Sequence, residues 1–223
     1  ICEQTEEASS AKKLVEREVK RVVTPGTQMS ATAISENENN YLCCVYQNEE
    51  IGLSFVDITT GEFYSTITDE GGILTELARF MPAEIIGNST FFENSERAHY
   101  IKERICNSLT EVDESLFEKR FADEKIELQF EGKYREISSH SAISIGVLLD
   151  YLSKTQMCAQ PHISNINFYR ENEFMNIDFA TKRNLEIVET MRDAKRSGSL
   201  LGVLDKTKTA MGARALRGLL EKP

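Results

Sequence analysis

The residues able to do chemistry are few and scattered. His99, His140 and His162 stand apart from one another, and none has a cysteine or carboxylate at ligand spacing, so surface or packing roles are expected for all three. Cys43 and Cys44 are neighbours in an apolar run. Side chains alternate along a strand, so the two thiols point to opposite faces and read as small core residues rather than a redox pair. With Cys2, Cys106 and Cys158 they make five cysteines, an odd number without a C-x-x-C pair, the pattern of reduced thiols in a cytoplasmic protein. Asp57 is the one carboxylate well placed among strand-forming residues. Because Ile58-Thr-Thr-Gly-Glu62 follows it, its expected role is bonding the backbone of that turn. Lys206 and Lys208 flank Thr207; they could touch a phosphate or pair with Asp205 or Glu221. No G-x-x-x-x-G-K-[ST] occurs, so the backbone cradle and lysine that hold nucleotide phosphates are missing from this sequence.

The elements that would position these groups begin at Tyr41. Three β-rich runs, Tyr41 to Tyr46, Ile51 to Ile58 and Phe63 to Ile67, are broken by two polar turns, the second containing Gly61, which predicts a three-stranded meander. Leu53 and Phe55 point to one face, with Asp57 in phase, while Ser54, Val56 and Ile58 point to the other, so the sheet should be covered on both sides. Ile73 to Met81 has helical apolar spacing and is stopped by Pro82; Ala83 to Gly87 is a short apolar strand; Arg97 to Leu109 repeats the helical pattern; Thr110 to Asp113 is a candidate fifth strand. Meander, helix, strand, helix, strand is the order of a ribonuclease H-like α/β domain. That fold raises a metal-dependent nuclease as an alternative function, which needs several carboxylates converging on divalent ions. The first strand carries none, leaving Asp57 alone.

At 223 residues the chain can form one large or two small domains. A hydrophobic content of 40% with 28% charged residues indicates neither disorder nor a membrane protein. No apolar run approaches a spanning helix, and Ile1-Cys-Glu-Gln4 is no signal peptide. The first residue is not Met, which suggests an internal piece of a longer chain. Net charge is −10, yet from Lys182 onward ten Lys/Arg face five Asp/Glu, a balance of +5 that leaves −15 on residues 1–181. The acidic part is a poor nucleic-acid binder by itself; the basic tail is read as a solvated helix face.

In chain order, Ile1 to Gln4 reads as the end of a strand with partners upstream, and Thr5 to Lys13 as a surface loop. Val15, Arg17 and Val19 form one face of an amphipathic strand, Thr24-Pro-Gly-Thr27 turns the chain, and Ser35 to Asn40 is a polar connection. Ser115 to Lys133 is expected to be helical in its first half. Ala142 to Leu152 is apolar all round, a buried helix and the expected hinge between two units. Ile166, Phe168 and Tyr169 suggest a strand, Asp178 caps a helix starting at Phe179, Ser197 to Ser199 is a loop, and Ala210 to Leu220 is an amphipathic final helix.

Two stretches carry a resemblance: Asp178-Phe-Ala-Thr-Lys-Arg-Asn-Leu-Glu-Ile187, and Gly198-Ser-Leu-Leu-Gly-Val-Leu-Asp-Lys-Thr-Lys-Thr-Ala-Met-Gly-Ala-Arg214. In the same order come Ile1 to Gln4, Arg17 to Thr27, Asn40 to Leu42, Val56 to Phe63, Pro82 to Ile85 and Leu152 to Gln156. On these residues the chain resembles the MutS family of bacterial DNA mismatch repair proteins, on the mismatch-reading branch given Ile1 to Gln4. The resemblance implies that residues 1–25 close the mismatch-binding domain, 26–135 form the ribonuclease H-like connector, and 136–223 begin the mainly helical lever/core domain. It implies a parent that is a cytoplasmic, homodimeric, mismatched-DNA-binding ATPase using ATP and Mg, whose connector surface meets MutL. The piece itself would be a monomeric joint with no catalytic, cofactor-binding, DNA-binding or metal residues. The family probes mismatches with an aromatic residue in a Phe-x-Glu motif. Phe91-Phe-Glu93 fits that pattern but lies after the connector begins, and is read as accidental.

Overall fold

A computed structural model of the chain describes residues 1–4, 17–28, 38–134, 137–170, 175 and 177–221. The expected loop at Thr5 to Lys13, Val15, and Ser35 to Asn37 of the polar connection lie outside the described residues. Two short strands, β1 (Cys2–Gln4) and β2 (Arg17–Val19), pair antiparallel with Cys2 opposite Val19, and both are exposed. The alternating run at Arg17 thus supplies a partner for Ile1 to Gln4 downstream. A 3-10 turn at Pro25–Thr27 follows.

The meander forms as β3 (Tyr41–Gln47), β4 (Ile51–Asp57) and β5 (Glu62–Thr68), antiparallel throughout, with Leu42 opposite Val56 and Val56 opposite Phe63. Three further strands lie parallel to their neighbours, β6 (Glu84–Gly87) beside β3, β7 (Leu109–Glu111) beside β6, and β8 (Asn167–Phe168) beside β5. The order across this mixed sheet is β7-β6-β3-β4-β5-β8. Helices cover both faces, as apolar groups on both faces of β4 require. Against one face Cys43, Val45, Leu53, Phe55 and Ile85 pack on α1 (Ile73–Phe80), α2 (Ser89–Glu93) and α3 (Ser95–Arg104). Against the other, Leu42, Cys44, Val56, Phe63 and Ile86 pack on α4 (Lys119–Phe130) and α5 (Ser139–Gln156). Each fully buried Leu, Ile or Phe in these layers contributes about 1.5–3 kcal/mol.

α1 ends where expected: Met81 takes a left-handed conformation, its N–H bonds the Leu77 carbonyl, and Pro82 prevents continuation. Between Met81 and Leu109 there are two helices, because Asn94 accepts from the Arg97 N–H and starts α3 afresh; the pattern expected to run helical to Leu109 stops at Arg104, and Leu109 opens β7. The helix expected in the first half of Ser115 to Lys133 starts four residues in, at Lys119, and runs on through the second half to Phe130. Only a 3-10 turn occupies Glu114–Leu116, and α4 places Ala122, Ile126 and Phe130 inward at i, i+4, i+8.

α5 is buried almost all round, as its composition requires, but it sits on the sheet rather than between two units. Its Ser144 Oγ lies 2.7 Å from Ser54 Oγ on β4. At Gly146 α4 passes so close that a Cβ there would stand 2.4 Å from Ala122 Cα. The remainder is sparse. α6 (Phe179–Asn184), capped by Asp178 as expected, is followed by α7 (Leu200–Leu204), capped by Ser199, and α8 (Ala210–Glu221). Ile187, Leu201 and Ala213 are the buried apolar residues between 177 and 221, while Val203, Met211 and Leu219 are exposed.

Candidate functional site

Among the described residues two joints tie the sheet to the flanking segments, one on the N-terminal and one on the C-terminal side. The first is built around Glu84, the one charged residue of β6 and 2% exposed. Its Oε2 accepts from Thr24 Oγ1 at 2.5 Å and from the Gly26 N–H at 3.0 Å, and its Oε1 accepts from the Tyr151 hydroxyl of α5 at 2.6 Å. Burial and the bond to the Glu84 carboxylate raise the Tyr151 hydroxyl pKa. Thr24 also closes the 3-10 turn on itself, its N–H donating to Thr27 Oγ1 at 2.9 Å. Asn40 donates to the Pro25 carbonyl at 3.0 Å, and the Val22 N–H donates to the Thr155 carbonyl at the end of α5 at 2.8 Å.

The second joint is ionic. Lys182 of α6 donates to the Ala78 carbonyl near the end of α1 at 3.4 Å and pairs with Glu221 of α8 at 3.0 Å. Arg217 of α8 pairs with both Glu221 and Glu38, the last contact crossing to the segment that enters β3. Burial works against the Arg217 charge, but Glu221 and then Glu38 more than offset it, so its pKa is raised. A cavity of about 390 Å³ lies at this junction, lined by Met81, Phe179, Lys182, Met191 and Arg217 among others.

Asp57 does what the turn after it predicts. Its Oδ1 accepts from the Thr59 N–H at 2.8 Å and the Thr59 hydroxyl at 2.6 Å, and its Oδ2 accepts from Asn39 Nδ2 at 2.9 Å and the Asn40 N–H at 3.2 Å. All four lone-pair positions are engaged, so the fully buried carboxylate has none to offer an ion. Glu62 accepts from Asn39 and Tyr41 at 2.9 Å each and closes the same corner. Among the described residues no group of three or more His, Cys, Asp or Glu could hold a metal.

Phe91 is 1% exposed in the core of α2, under the Arg97 guanidinium at 4.9 Å, so it cannot meet an external partner without unfolding that layer. His99 pairs with exposed Glu103 at 3.3 Å, His140 stacks on Tyr46 with its Nδ1 3.6 Å from exposed Glu50, and His162 Nε2 lies 2.7 Å from the Ile58 carbonyl. Cys43 and Cys44 are fully buried, one in each helical layer, and burial pushes both thiols up. The carboxylates considered for Lys206 and Lys208 are engaged elsewhere: Asp205 pairs with Arg196, and Glu221 with Lys182 and Arg217.

The joint residues were not among the sequence candidates. One signal was present, a lone carboxylate in the apolar run Glu84-Ile-Ile-Gly87. Its partners at Thr24 and Tyr151 are too distant in sequence for any spacing rule to find.

Three family models match the chain in order: MutS domain I over residues 1–32, MutS domain II over 40–165 and MutS domain III over 180–223. The chain is 42% identical over 230 residues to proteins named DNA mismatch repair protein MutS from Acetivibrio thermocellus and from Ruminiclostridium cellulolyticum, and 40% identical over 234 residues to that of Caldanaerobacter subterraneus. Each comparison covers 100% of this chain and 26% of the relative, so the chain spans about a quarter of the length of these proteins. With one domain model alone covering more than half of it, this chain belongs to the MutS family of DNA mismatch repair proteins.

Proposed function

We propose that this stretch serves a MutS protein as the mechanical joint between a mismatch reader and the lever arms leading to an ATPase. The observation that carries the reading is the succession of domain I, II and III matches on one chain, with the domain II sheet tied to its flanks on both sides. The joint acts by holding the relative orientation of rigid units that binding events at either end would bias. The proposed division is the end of the mismatch-binding domain over residues 1–25, a ribonuclease H-like connector from residue 26, and the start of the lever/core domain. The boundary near 135 moves toward 165 in this reading, because α5 and β8 complete the connector sheet. Support for the ribonuclease H-like assignment is the order β5-β4-β3-β6-β7, with an antiparallel meander followed by two parallel strands.

Mismatched DNA, ATP with Mg²⁺ and a homodimeric, cytoplasmic setting belong in this proposal to the whole parent protein. The residues here do not fit the nucleotide: the sequence has no phosphate loop, and the oxygens of Asp57 are engaged. No helix of the described residues is long and apolar enough to cross a membrane. MutL is the proposed partner of the connector surface. Titrating the chain with matched and mismatched duplex, with ATP hydrolysis and DNA cleavage followed in Mg²⁺, should give no preference and no turnover, while MutL is retained. A mismatch preference or cut DNA overturns the reading.

A further inference from the structure

Three of the stretches that carry the resemblance, Arg17 to Thr27, Pro82 to Ile85 and Leu152 to Gln156, are far apart in sequence and meet at one place. Glu84 receives Thr24 and Gly26; Thr155 receives Val22; and Gln156 Nε2 lies 3.5 Å from the carbonyl of Thr27, which is fully buried. We propose that Glu84 is a lock that makes the strap Thr24–Gln28 rigid with the sheet, so that the β1–β2 ribbon turns with the connector and the linker cannot absorb the motion. This rests on the joint reading above and names the residue that stiffens it.

The geometry is that of a lock rather than a surface contact. A buried carboxylate answered by two hydroxyls and an amide has each bond strengthened by the low local dielectric, and losing a partner leaves a desolvated charge. The strap approaches so closely that a Cβ on Gly26 would stand 2.9 Å from Glu84 Cβ and 2.9 Å from Leu42 Cδ1. Two fixation points, Glu84 on the strap and Thr155 on the chain leading into it, define an orientation where one would define only a position. Tyr151 closes the third side and fixes the carboxylate to α5.

The test uses spin labels on the full chain. Cys2 is exposed, and Cys43, Cys44 and Cys106 are buried. With Cys158→Ser removing the other exposed thiol and Lys102→Cys adding a site on exposed α3, the label-to-label distance distribution reads the ribbon against the sheet. The expected result is a narrow distribution for the parent and for Glu84→Gln, whose one amide oxygen can still accept from Thr24 and Gly26 while its NH2 donates to the Tyr151 oxygen, and a broad one for Glu84→Ala. Amide exchange at Gly26 should rise by about 10- to 100-fold in Glu84→Ala, the effect of losing a hydrogen bond to a charged group. Should Glu84→Ala fail to fold, Thr24→Val removes the strap hydroxyl without touching the sheet and should broaden the distribution by itself. Unchanged distributions in Thr24→Val and in folded Glu84→Ala overturn the lock. No DNA, nucleotide or MutL enters this measurement, so its failure is distinct from failure of the joint reading.

Discussion

The two joints hold the same sheet by opposite means. On the ribbon side a buried carboxylate meets neutral donors at 2.5–3.0 Å, with Glu84 2% exposed. On the α8 side charge meets charge, from Lys182 and Glu221 with side chains 12% and 15% exposed out to Arg217 at 23% and Glu38 at 52%. Buried hydrogen bonds are short-ranged and directional, so the first joint should break all at once. Its outer contact, Arg217–Glu38, is open enough for water or salt to replace it at little cost, so the second joint should yield gradually from that end. In the proposed joint, a stiff side and a compliant side couple the sheet more tightly to the ribbon than to α8.

That contrast can be broken most severely from beneath. Phe55 is fully buried and stacks on Phe80 at 4.0 Å, so Phe55→Ala should cost about 3–5 kcal/mol in urea unfolding and release both joints together. A smaller effect follows from acid. Burial pushes the Asp150 carboxyl up, but Lys125 and Lys154 outweigh it and hold the group below its usual range. A depressed folded value means that the stabilisation is present above the unfolded value of about 3.9 and is lost as pH falls through the folded one. Stability measured below about pH 4 should therefore fall more steeply in the parent than in Asp150→Asn, with the loss felt at the helix that carries Tyr151. Smallest is Arg217→Met, worth about 1 kcal/mol or less at the α8 joint. It should raise amide exchange in α8 and leave Gly26 unchanged, and raising salt from about 0.05 to 0.5 M should reproduce it in the parent.

Local patterns are written in the sequence, and long-range meetings are not. The meander and its two covered faces were legible because β4 alternates Leu53 and Phe55 against Val56 and Ile58, a period that only a strand explains. The cap at Asp178 was legible because capping is local. The bounds of α4 were not legible because its charged turns hide a stripe of only three inward residues, and α2 was missed because a five-residue helix has no period. α5 was recognised as buried but assigned to a hinge, since an all-apolar helix says that it has neighbours without saying which. Glu84, Thr24 and Tyr151 escaped for a different reason: their meeting is a product of the sheet order, which local spacing does not encode.

The alternation that sends Cys43 and Cys44 to opposite faces has a practical consequence. Each sulfur lies in a different helical layer and neither is accessible in the folded chain, so a thiol reagent reaches one only when its own layer lifts. Peptide-resolved alkylation kinetics at these two adjacent positions would time the parting of the α1–α3 layer and the α4–α5 layer separately, making a single dipeptide a two-channel clock for the order in which the protein comes apart.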